Sequence, residues 1–365
     1  MSRGANRVQR ISCVIGSLGP GGAERVLTTM ANWWVRDGRD VTIHTLQSTP
    51  AYFCLDDRVA VAPLGISGVG MLRRVVAAIA RVRRLRRALR DRRPDVVVSF
   101  IDIANIHTLI ATIGIDLPVV VSERTDPNLH RIGPFWTLLR RITYPMASHL
   151  VVQSKEVEAA LSYMSGDTTV IGNPVLPIAA SGEVMVRDVD VVAMGRFTHE
   201  KGFDLLLRAV AVASQKRGPT TLRVWGDGPE RASLMNLARQ LDIASQVDFP
   251  GNTSRPGAVL QQGDVFVLPS RYEGFPNVLG EAMAAGRACI AFDSSSGPRQ
   301  LIRHGVDGLL IPGGDVDAMA LAIVELLDTP STRRRLEEAA PSVVDRFNLE
   351  SVMARWDDVL ASVAE

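Results

Sequence analysis

The sequence predicts an α/β protein built from two doubly wound, Rossmann-like domains that face a cleft. Short apolar runs rich in Val and Ile recur along the chain, and longer segments of helical periodicity separate them. Continuous apolar runs of this length are typical of parallel strands that are buried on both faces. The pattern is interrupted after Pro174 by a stretch of small residues and then resumes. The 365 residues are enough for two such domains, each with its own core.

The apolar runs predict strands in two successive sets. The first set covers residues 11–15, 41–46, 59–64, 95–101, 119–122, 149–153 and 168–171. The second covers residues 190–194, 222–225, 247–249, 265–268, 288–292 and 308–311. A last amphipathic segment, residues 348–363, predicts a helix with one apolar face. We therefore expect an N-terminal domain over residues 1–175, a C-terminal domain over residues 186–347, and a final helical segment over residues 348–365.

Composition places the chain among ordinary globular proteins, with 46% hydrophobic and 22% charged residues. No apolar run approaches the roughly 18 residues of a membrane span, and the polar N-terminus lacks the apolar segment of a secretory signal. The three cysteines are scattered, which fits a reducing compartment better than a disulfide framework. We expect a cytoplasmic location.

Charge is distributed unevenly between the two halves. Residues 1–175 carry 22 Lys and Arg against 14 Asp and Glu, and residues 71–93 alone hold ten arginines and one acid. This segment predicts a helix with one apolar face, formed by Leu72, Val75, Ile79, Val82 and Leu89. Such a helix either packs on the sheet as a solvated element or lies on an anionic membrane through Arg81, Arg84 and Arg87. No nucleic-acid partner is expected, because aromatic residues are not interleaved and no binding module is recognised.

The stretch YEGFPNVLGEAMAAGR, residues 272–287, contains two glutamates eight positions apart, Glu273 and Glu281. Gly274 and Pro276 break a helix between them, so the helix should begin near Asn277 and leave Glu273 in the preceding loop. Eight helical residues rise about 12 Å, too far for the two carboxylates to share one metal ion. The exposed amides at the start of this helix favour a phosphate.

A second candidate stretch, GRFTHEKGFD at residues 195–204, follows the first strand of the second set. Arg196 and Lys201 could both reach a diphosphate at this edge of the sheet. The chain has only three lysines among 41 basic residues, so a lysine is not its default cation. Solvated loop cations remain the alternative interpretation.

The first strand leads into a glycine-rich turn that includes Gly19, Gly21 and Gly22. The turn lacks the G-x-G-x-x-G spacing, and no acid closes the second strand, so a nicotinamide enzyme is not expected. A tight structural turn and a turn that admits a phosphate or sugar both remain open. The six histidines form no metal-binding pattern, and two Asp-Val-Asp triplets are weak candidates, so neither a metal nor another cofactor is expected.

Together these residues resemble the family-4 retaining glycosyltransferases of GT-B fold. The resemblance rests on four elements in family order, which are the glycine loop, GRFTHEKG, WGDGPE at residues 225–230, and the E-x7-E motif of Glu273 and Glu281. SERTDP at residues 122–127 and SSGPRQLI at residues 295–302 are more similar to GalNAc and hexose transferases that extend polyprenol-linked oligosaccharides. The resemblance covers nearly the whole chain.

The resemblance implies a role for each matching residue. Arg196 and Lys201 would hold the diphosphate of a nucleotide sugar, Glu273 would contact the donor sugar, and Glu281 would bind the ribose. The intervening residues would bind sugar hydroxyls and phosphate; they are Gly274, Phe275, Pro276, Asn277, Val278 and Leu279.

The same resemblance implies retention without a protein nucleophile or a metal, and a UDP-hexose or UDP-N-acetylhexosamine donor. It implies an acceptor glycan on a polyprenyl diphosphate, bound by the N-terminal domain, and a peripheral location on the inner face of the cytoplasmic membrane. The final helix would cross back to the first domain. Many members carry a histidine where this chain has Ser122, Glu123 and Arg124, and His107 is a guess at its replacement.

Three alternatives remain open on sequence grounds. A sugar-nucleotide epimerase could use the same architecture, and a non-catalytic protein could bind the nucleotide sugar without turning it over. A glycosidase would need the two glutamates on opposite sides of a sugar, about 5 to 9.5 Å apart, which their loop and helix positions disfavour.

Overall fold

The computed structural model describes residues 8–65, 71–130, 132–162, 167–178, 187–253, 255–294 and 296–364, with residues 71–75 described as backbone alone. The chain forms two compact units. One comprises Met1–Asn173 and Glu350–Glu365, and the other comprises Pro174–Leu349.

The first unit contains a seven-stranded parallel sheet. Its strands are β1 (Arg10–Ile15), β2 (Asp40–Thr45), β3 (Ala60–Pro63), β4 (Val96–Phe100), β5 (Val119–Ser122), β6 (His149–Val152) and β7 (Thr168–Val170). Their order is β3-β2-β1-β4-β5-β6-β7. The helices between them are α1 (Gly22–Arg36), α2 (Met71–Arg92), α3 (Asp102–Thr112), α4 (Pro134–Thr143) and α5 (Lys155–Leu161). This strand order reverses direction beside β1, as in a doubly wound sheet.

The second unit repeats the plan with six parallel strands. They are β8 (Val189–Met194), β9 (Leu222–Trp225), β10 (Val247–Gly251), β11 (Gly263–Leu268), β12 (Ala288–Asp293) and β13 (Leu309–Pro312), in the order β10-β9-β8-β11-β12-β13. The helices are α6 (Phe203–Arg217), α7 (Arg231–Gln240), α8 (Pro256–Leu260), α9 (Asn277–Ala284), α10 (Ser296–Leu301), α11 (Val316–Asp328), α12 (Pro330–Ala339) and α13 (Val343–Arg346). The predicted fold class is confirmed, and each predicted strand lies within two residues of its expected bounds.

The last helix, α14 (Leu349–Ala364), packs its apolar face on the first unit. Trp356 stacks on Phe100 with ring centroids 6.0 Å apart and meets Trp34 edge-on. Asp357 accepts a hydrogen bond from the Arg39 guanidinium at 2.6 Å. Burial of two tryptophans and a charge-assisted hydrogen bond stabilise this attachment.

The arginine-rich segment forms α2, as the sequence predicts, but its buried face differs from the predicted apolar face. Ala77, Leu85 and Leu89 are buried, whereas Ile79 is 49% exposed. Of the predicted apolar face, Leu89 therefore packs inward, whereas Ile79 lies toward solvent. Ala77, Leu85 and Leu89 are spaced by multiples of four and so lie along one side of the helix. Ile79 lies outside that side and faces solvent. The side chains of Leu72 and Val75 lie outside the described residues.

Candidate active site

Two loops at the carboxyl ends of neighbouring strands form the candidate site in the second unit. β8 and β11 are hydrogen-bonded in parallel, with Val191 opposite Val265. Lys201 ends a single 3-10 turn that follows β8, and Glu273 lies in the loop between β11 and α9. Because neighbouring parallel strands end at the same edge of a sheet, residues 72 positions apart in sequence are brought together.

Lys201 and Glu273 form a short ion pair. The Lys201 Nζ lies 2.7 Å from Glu273 Oε1, and the Ser270 hydroxyl donates to the same oxygen at 2.7 Å. The Glu273 side chain is 10% exposed and that of Lys201 is 27% exposed. Since both partners are largely removed from water, their attraction is screened less than that of a surface pair. The pair fixes one cation and one carboxylate at the edge of the sheet.

Arg271 ties the two loops to each other. Its guanidinium forms a bidentate pair with Asp204, with both distances 2.8 Å, and also donates to the His199 carbonyl. The hydrogen bonds from Arg271 lower the pKa of Asp204, against the opposing effect of burial. Gly202, at φ +67°, lets the loops touch, because a Cβ there would lie 2.0 Å from the Pro269 carbonyl oxygen. The Lys201 backbone is thereby held in one position.

The E-x7-E segment has the predicted break. Helix α9 begins at Asn277, directly after Pro276, so Glu273 is a loop residue and Glu281 is a buried helical residue. Gly297, in α10, lies against this loop, and a Cβ there would lie 2.7 Å from the Glu273 carbonyl oxygen. This second glycine-dependent contact thus packs the start of α10 onto the backbone of Glu273.

Arg196 lies in the same loop as Lys201, between β8 and the 3-10 turn. Its side chain is exposed, and within the described part of the chain its guanidinium makes no hydrogen bond or ion pair. The loop therefore offers one cation in an ion pair and one available to a ligand. The two cations favour an anionic ligand, and the neighbouring Glu273 and Glu200 carboxylates favour one that also carries hydroxyl groups.

The glycine-rich turn of the first unit leads into α1, which begins at Gly22. The Glu24 carboxyl lies against this turn, where a Cβ on Gly21 would meet it at 1.9 Å. Ser17 donates to the same carboxyl at 3.3 Å. The glycine at position 21 is therefore explained structurally, because the Glu24 carboxyl packs against it. The role of this turn in binding a ligand stays a prediction.

The three arginines expected to face a membrane differ in exposure on α2. Arg87 is exposed, Arg81 is half-buried, and Arg84 donates to the backbone carbonyls of Leu64 and Gly65 at 2.9 and 3.1 Å. A cavity of about 480 Å³ opens on α2; Val76, Ile79, Ala80, Arg83, Arg84 and Arg87 line it. The cavity combines aliphatic and guanidinium groups. No described helix has the length and hydropathy needed to cross a bilayer.

The SERTDP segment forms a buried network that sequence analysis missed. Glu123 accepts hydrogen bonds at Oε1 from the Arg124 and Thr125 amides and the Thr125 hydroxyl, and at Oε2 from the Tyr144 hydroxyl at 2.7 Å. Burial, followed by the nearby Asp102 carboxyl, raises the pKa of Glu123. The network fixes the loop that follows β5. The sequence does carry a signal for this network, because the polar residues Asp102 and Glu123 follow the buried strands β4 and β5.

His107 was considered as a replacement for the histidine that many family members carry after β5. In the structure it has a packing role. It is buried, its Nδ1 is bonded to the Ile103 carbonyl at 2.7 Å, and its ring lies on Trp136. The Asp-Val-Asp triplets are also accounted for locally. Asp188 pairs with Arg223, and Asp315 caps α11 by accepting from the Ala318 amide.

Comparison with known protein families gives a consistent result for both halves. The model of the Glycosyl transferase 4-like domain matches residues 21–174. The model of the Glycosyl transferases group 1 family matches residues 182–343.

Two curated relatives match over nearly their full lengths. The chain is 27% identical over 363 residues to the GalNAc-alpha-(1->4)-GalNAc-alpha-(1->3)-diNAcBac-PP-undecaprenol alpha-1,4-N-acetyl-D-galactosaminyltransferase of Campylobacter jejuni, covering 98% of this chain and 99% of the relative. It is 24% identical to the amylovoran biosynthesis glycosyltransferase AmsD of Erwinia amylovora, covering 93% and 96%.

Solved structures share the fold at low sequence identity. The sucrose-phosphate synthase from Thermosynechococcus elongatus has a TM-score of 0.83 at 18% identity, covering 97% of this chain and 99% of that one. Anabaena HepE in complex with UDP and glucose has a TM-score of 0.80 at 20% identity, covering 97% and 100%. The two parallel-sheet units match GT-B architecture.

Proposed function

The chain belongs to the glycosyltransferases of the group 1 and 4-like families, and from that premise we propose that it moves a hexose or N-acetylhexosamine from a UDP-sugar to a polyprenyl-diphosphate-linked glycan. The observation that carries the donor site is the Lys201 and Glu273 ion pair, with Arg196 available in the same loop. The name of the Campylobacter relative supports the acceptor, and the UDP bound by HepE supports the donor. Family membership disfavours the epimerase alternative.

Electrostatic stabilisation of the leaving group is the catalytic role that we propose for Lys201 and Arg196. Negative charge grows on the diphosphate as its bond to the sugar breaks, and two adjacent cations stabilise that charge more than they stabilise the bound substrate. Glu273, held by Lys201 and Ser270, would bind the donor sugar. Retention follows when the acceptor hydroxyl attacks from the side of the leaving group and passes its proton to a diphosphate oxygen.

The remainder of the proposed donor site comprises the end of the loop before α9 and the first two turns of α9. The residues from Gly274 to Leu279 would bind the phosphate and the sugar, because they lie at the N-terminus of α9, where the positive end of the helix dipole favours an anion. Glu281, one turn further, would accept hydrogen bonds from the ribose hydroxyls. The two glutamates would then bind opposite ends of one nucleotide sugar.

Glu281→Ala is expected to weaken UDP binding about tenfold while kcat at saturating donor changes little. A contact to the ribose exists equally in the ground state and the transition state, so its loss raises KM. Isothermal titration with UDP measures the change, and Glu350→Ala, at the start of α14, serves as a surface control. An unchanged UDP affinity would remove Glu281 from the donor site.

Activity is expected to persist in excess EDTA, because the two cations already neutralise the diphosphate charge. The assay transfers labelled sugar from UDP to a synthetic polyprenyl-diphosphate glycan, with and without chelator. Strict dependence on added manganese would contradict the proposed role of Lys201 and Arg196.

The same assay tests the proposed function itself. Label should move from one UDP-sugar to the lipid-linked glycan, and the new linkage should keep the donor's anomeric configuration. Conversion of the sugar without transfer would indicate an epimerase, and binding without turnover would indicate a non-catalytic protein.

The acceptor's lipid requires a membrane surface, and we propose that two helices of the first unit meet it. Val76, Ile79 and Ala80 precede Arg83 and Arg87 along the cavity of α2. Such a surface offers aliphatic contact to a lipid chain and guanidinium groups to its phosphates.

Helix α4 supports the same assignment. Its exposed side chains include Phe135, Leu138 and Ile142, spaced three and four residues apart, so they form one apolar stripe. Exposed apolar residues on one helical face are typical of interfacial helices. Peripheral binding to the inner face of the cytoplasmic membrane is the location that we propose.

A further inference from the structure

The carboxyl ends of β4 and β5 hold a cluster of polar groups that the donor site does not use. Asp102 follows β4 and is 3% exposed. Its Oδ1 accepts a hydrogen bond from the Ile103 amide at 2.6 Å, whereas its Oδ2 makes no hydrogen bond within the described residues. Buried polar atoms are nearly always hydrogen-bonded, so this oxygen needs an explanation.

The backbone before Asp102 is strained. Ile101 has φ +73° and ψ 143°, a region that a β-branched side chain rarely enters. Its amide donates to the Ser122 carbonyl at 3.1 Å, and its carbonyl accepts from the Asn105 amide at 2.9 Å. These bonds hold Ile101 in place and set the direction in which Asp102 leaves the strand. Residues held in this way are concentrated at functional sites.

His130 faces the unbonded oxygen of Asp102. Its Nε2 lies 3.5 Å from Asp102 Oδ2, at ion-pair distance, and its side chain is 41% exposed. The loop that carries it is fixed at one end by the Glu123 network and at the other by the His130 amide, which donates to the Asp126 carbonyl at 2.8 Å. Within the described residues the Nδ1 of His130 makes no hydrogen bond. One edge of the ring thus meets a buried carboxyl while the ring remains accessible.

We propose that His130, oriented by Asp102, binds a hydroxyl group of the acceptor sugar, an inference that rests on the proposed function. A carboxyl beside Nε2 favours the tautomer with its proton on Nε2, which leaves the Nδ1 lone pair free to accept a hydrogen bond. A sugar hydroxyl that donates to Nδ1 is held in one orientation. His130 is then an acceptor-binding residue, and Asp102 is a positioning residue that acts through it.

Three further atoms, from two side chains, make the site suitable for a polyhydroxylated ligand. Asn105 Oδ1 and the Nε and Nη1 atoms of Arg140 are buried and make no hydrogen bond in the described part of the chain. Burial raises the pKa of Glu123 and the charge of Arg140 opposes that rise, which places the guanidinium near the acidic residues. Unbonded acceptors and donors of hydrogen bonds therefore occur beside the Glu123 network, whose charge also interacts with Asp102, as sugar hydroxyls require.

The test separates acceptor binding from donor binding. His130→Ala is expected to lower kcat/KM for the lipid-linked acceptor about tenfold to a hundredfold, the effect of losing one well-oriented hydrogen bond. UDP affinity and the slow hydrolysis of donor by water should stay unchanged. Asp102→Asn, which keeps the bond from the Ile103 amide, should give a smaller loss of the same kind. The double variant should lose no more than His130→Ala alone.

His149→Ala is the matched control, since His149 is a half-buried histidine of the same unit bonded to Thr169 and should show wild-type kinetics. Wild-type transfer is measured first, because its absence overturns the proposed function and this inference together. With wild-type transfer established, an unchanged acceptor KM and kcat in His130→Ala would overturn this inference alone. An equal fall in donor hydrolysis would also overturn it, and additive losses in the double variant would remove Asp102 from the site.

Discussion

Lys201→Ala is expected to lower kcat about 100-fold to 1,000-fold while the affinity for UDP falls much less. Removing one preorganised charge that faces a developing anion has effects of this size in other enzymes. The reason is differential binding, since the diphosphate gains its additional charge as the sugar leaves. Steady-state kinetics at saturating donor measure kcat, and single-turnover kinetics measure the rate constant of the chemical step. Titration with UDP measures affinity.

The variant also leaves Glu273 without its charged partner, while the hydrogen bond from Ser270 remains, so a thermal melt must accompany the kinetics. Lys201→Arg keeps a cation there and should recover part of the rate, which a purely structural role would not require. Lys216→Ala, at an exposed lysine near the end of α6, is the matched control and should behave as wild type. Full kcat in a folded Lys201→Ala protein would remove Lys201 from catalysis.

The strands were predictable because the physical signal for them is local. A strand buried on both faces must be apolar throughout, so its bounds can be read from the residues themselves. The start of α9 was predictable for the same reason, since Pro276 permits a helix after it and not through it. The contact between Lys201 and Glu273 was not predictable from local sequence. It depends on β8 lying beside β11, and neither segment alone specifies the order of strands in the sheet.

Side-chain orientation was less predictable than the backbone. On α2, apolar and basic residues alternate so densely that several rotations place an apolar face inward, and packing of Leu85 selects the one that exposes Ile79. Asp102, Glu123 and His130 had no common pattern in the sequence. They meet because two neighbouring strands, β4 and β5, end at the same edge and because the loop after β5 returns to α3.

The second large effect is expected for membrane binding. Arg83, Arg87 and Arg90 are exposed and spaced four and three residues apart, so they lie on one face of α2. Each cation near an anionic surface contributes about 1 kcal/mol, so replacing all three with glutamine should weaken binding to anionic liposomes about 100-fold. Arg84 and Arg81 are left unchanged, because Arg84 holds the Leu64 and Gly65 carbonyls and Arg81 is half-buried.

Liposome flotation and acceptor turnover should fall together in this variant, while UDP affinity stays constant. Replacing Arg208, Arg239 and Arg334 with glutamine removes the same charge from exposed positions of the second unit, and should leave flotation intact. Raising salt should mimic the α2 variant, because the Debye length is about 8 Å at physiological ionic strength and shortens as salt is added. Equal flotation of the α2 variant and the parent would make α2 an ordinary solvated helix. The apolar stripe of α4 would then be the surface left to account for membrane binding, and flotation should persist at high salt because apolar contact is not screened.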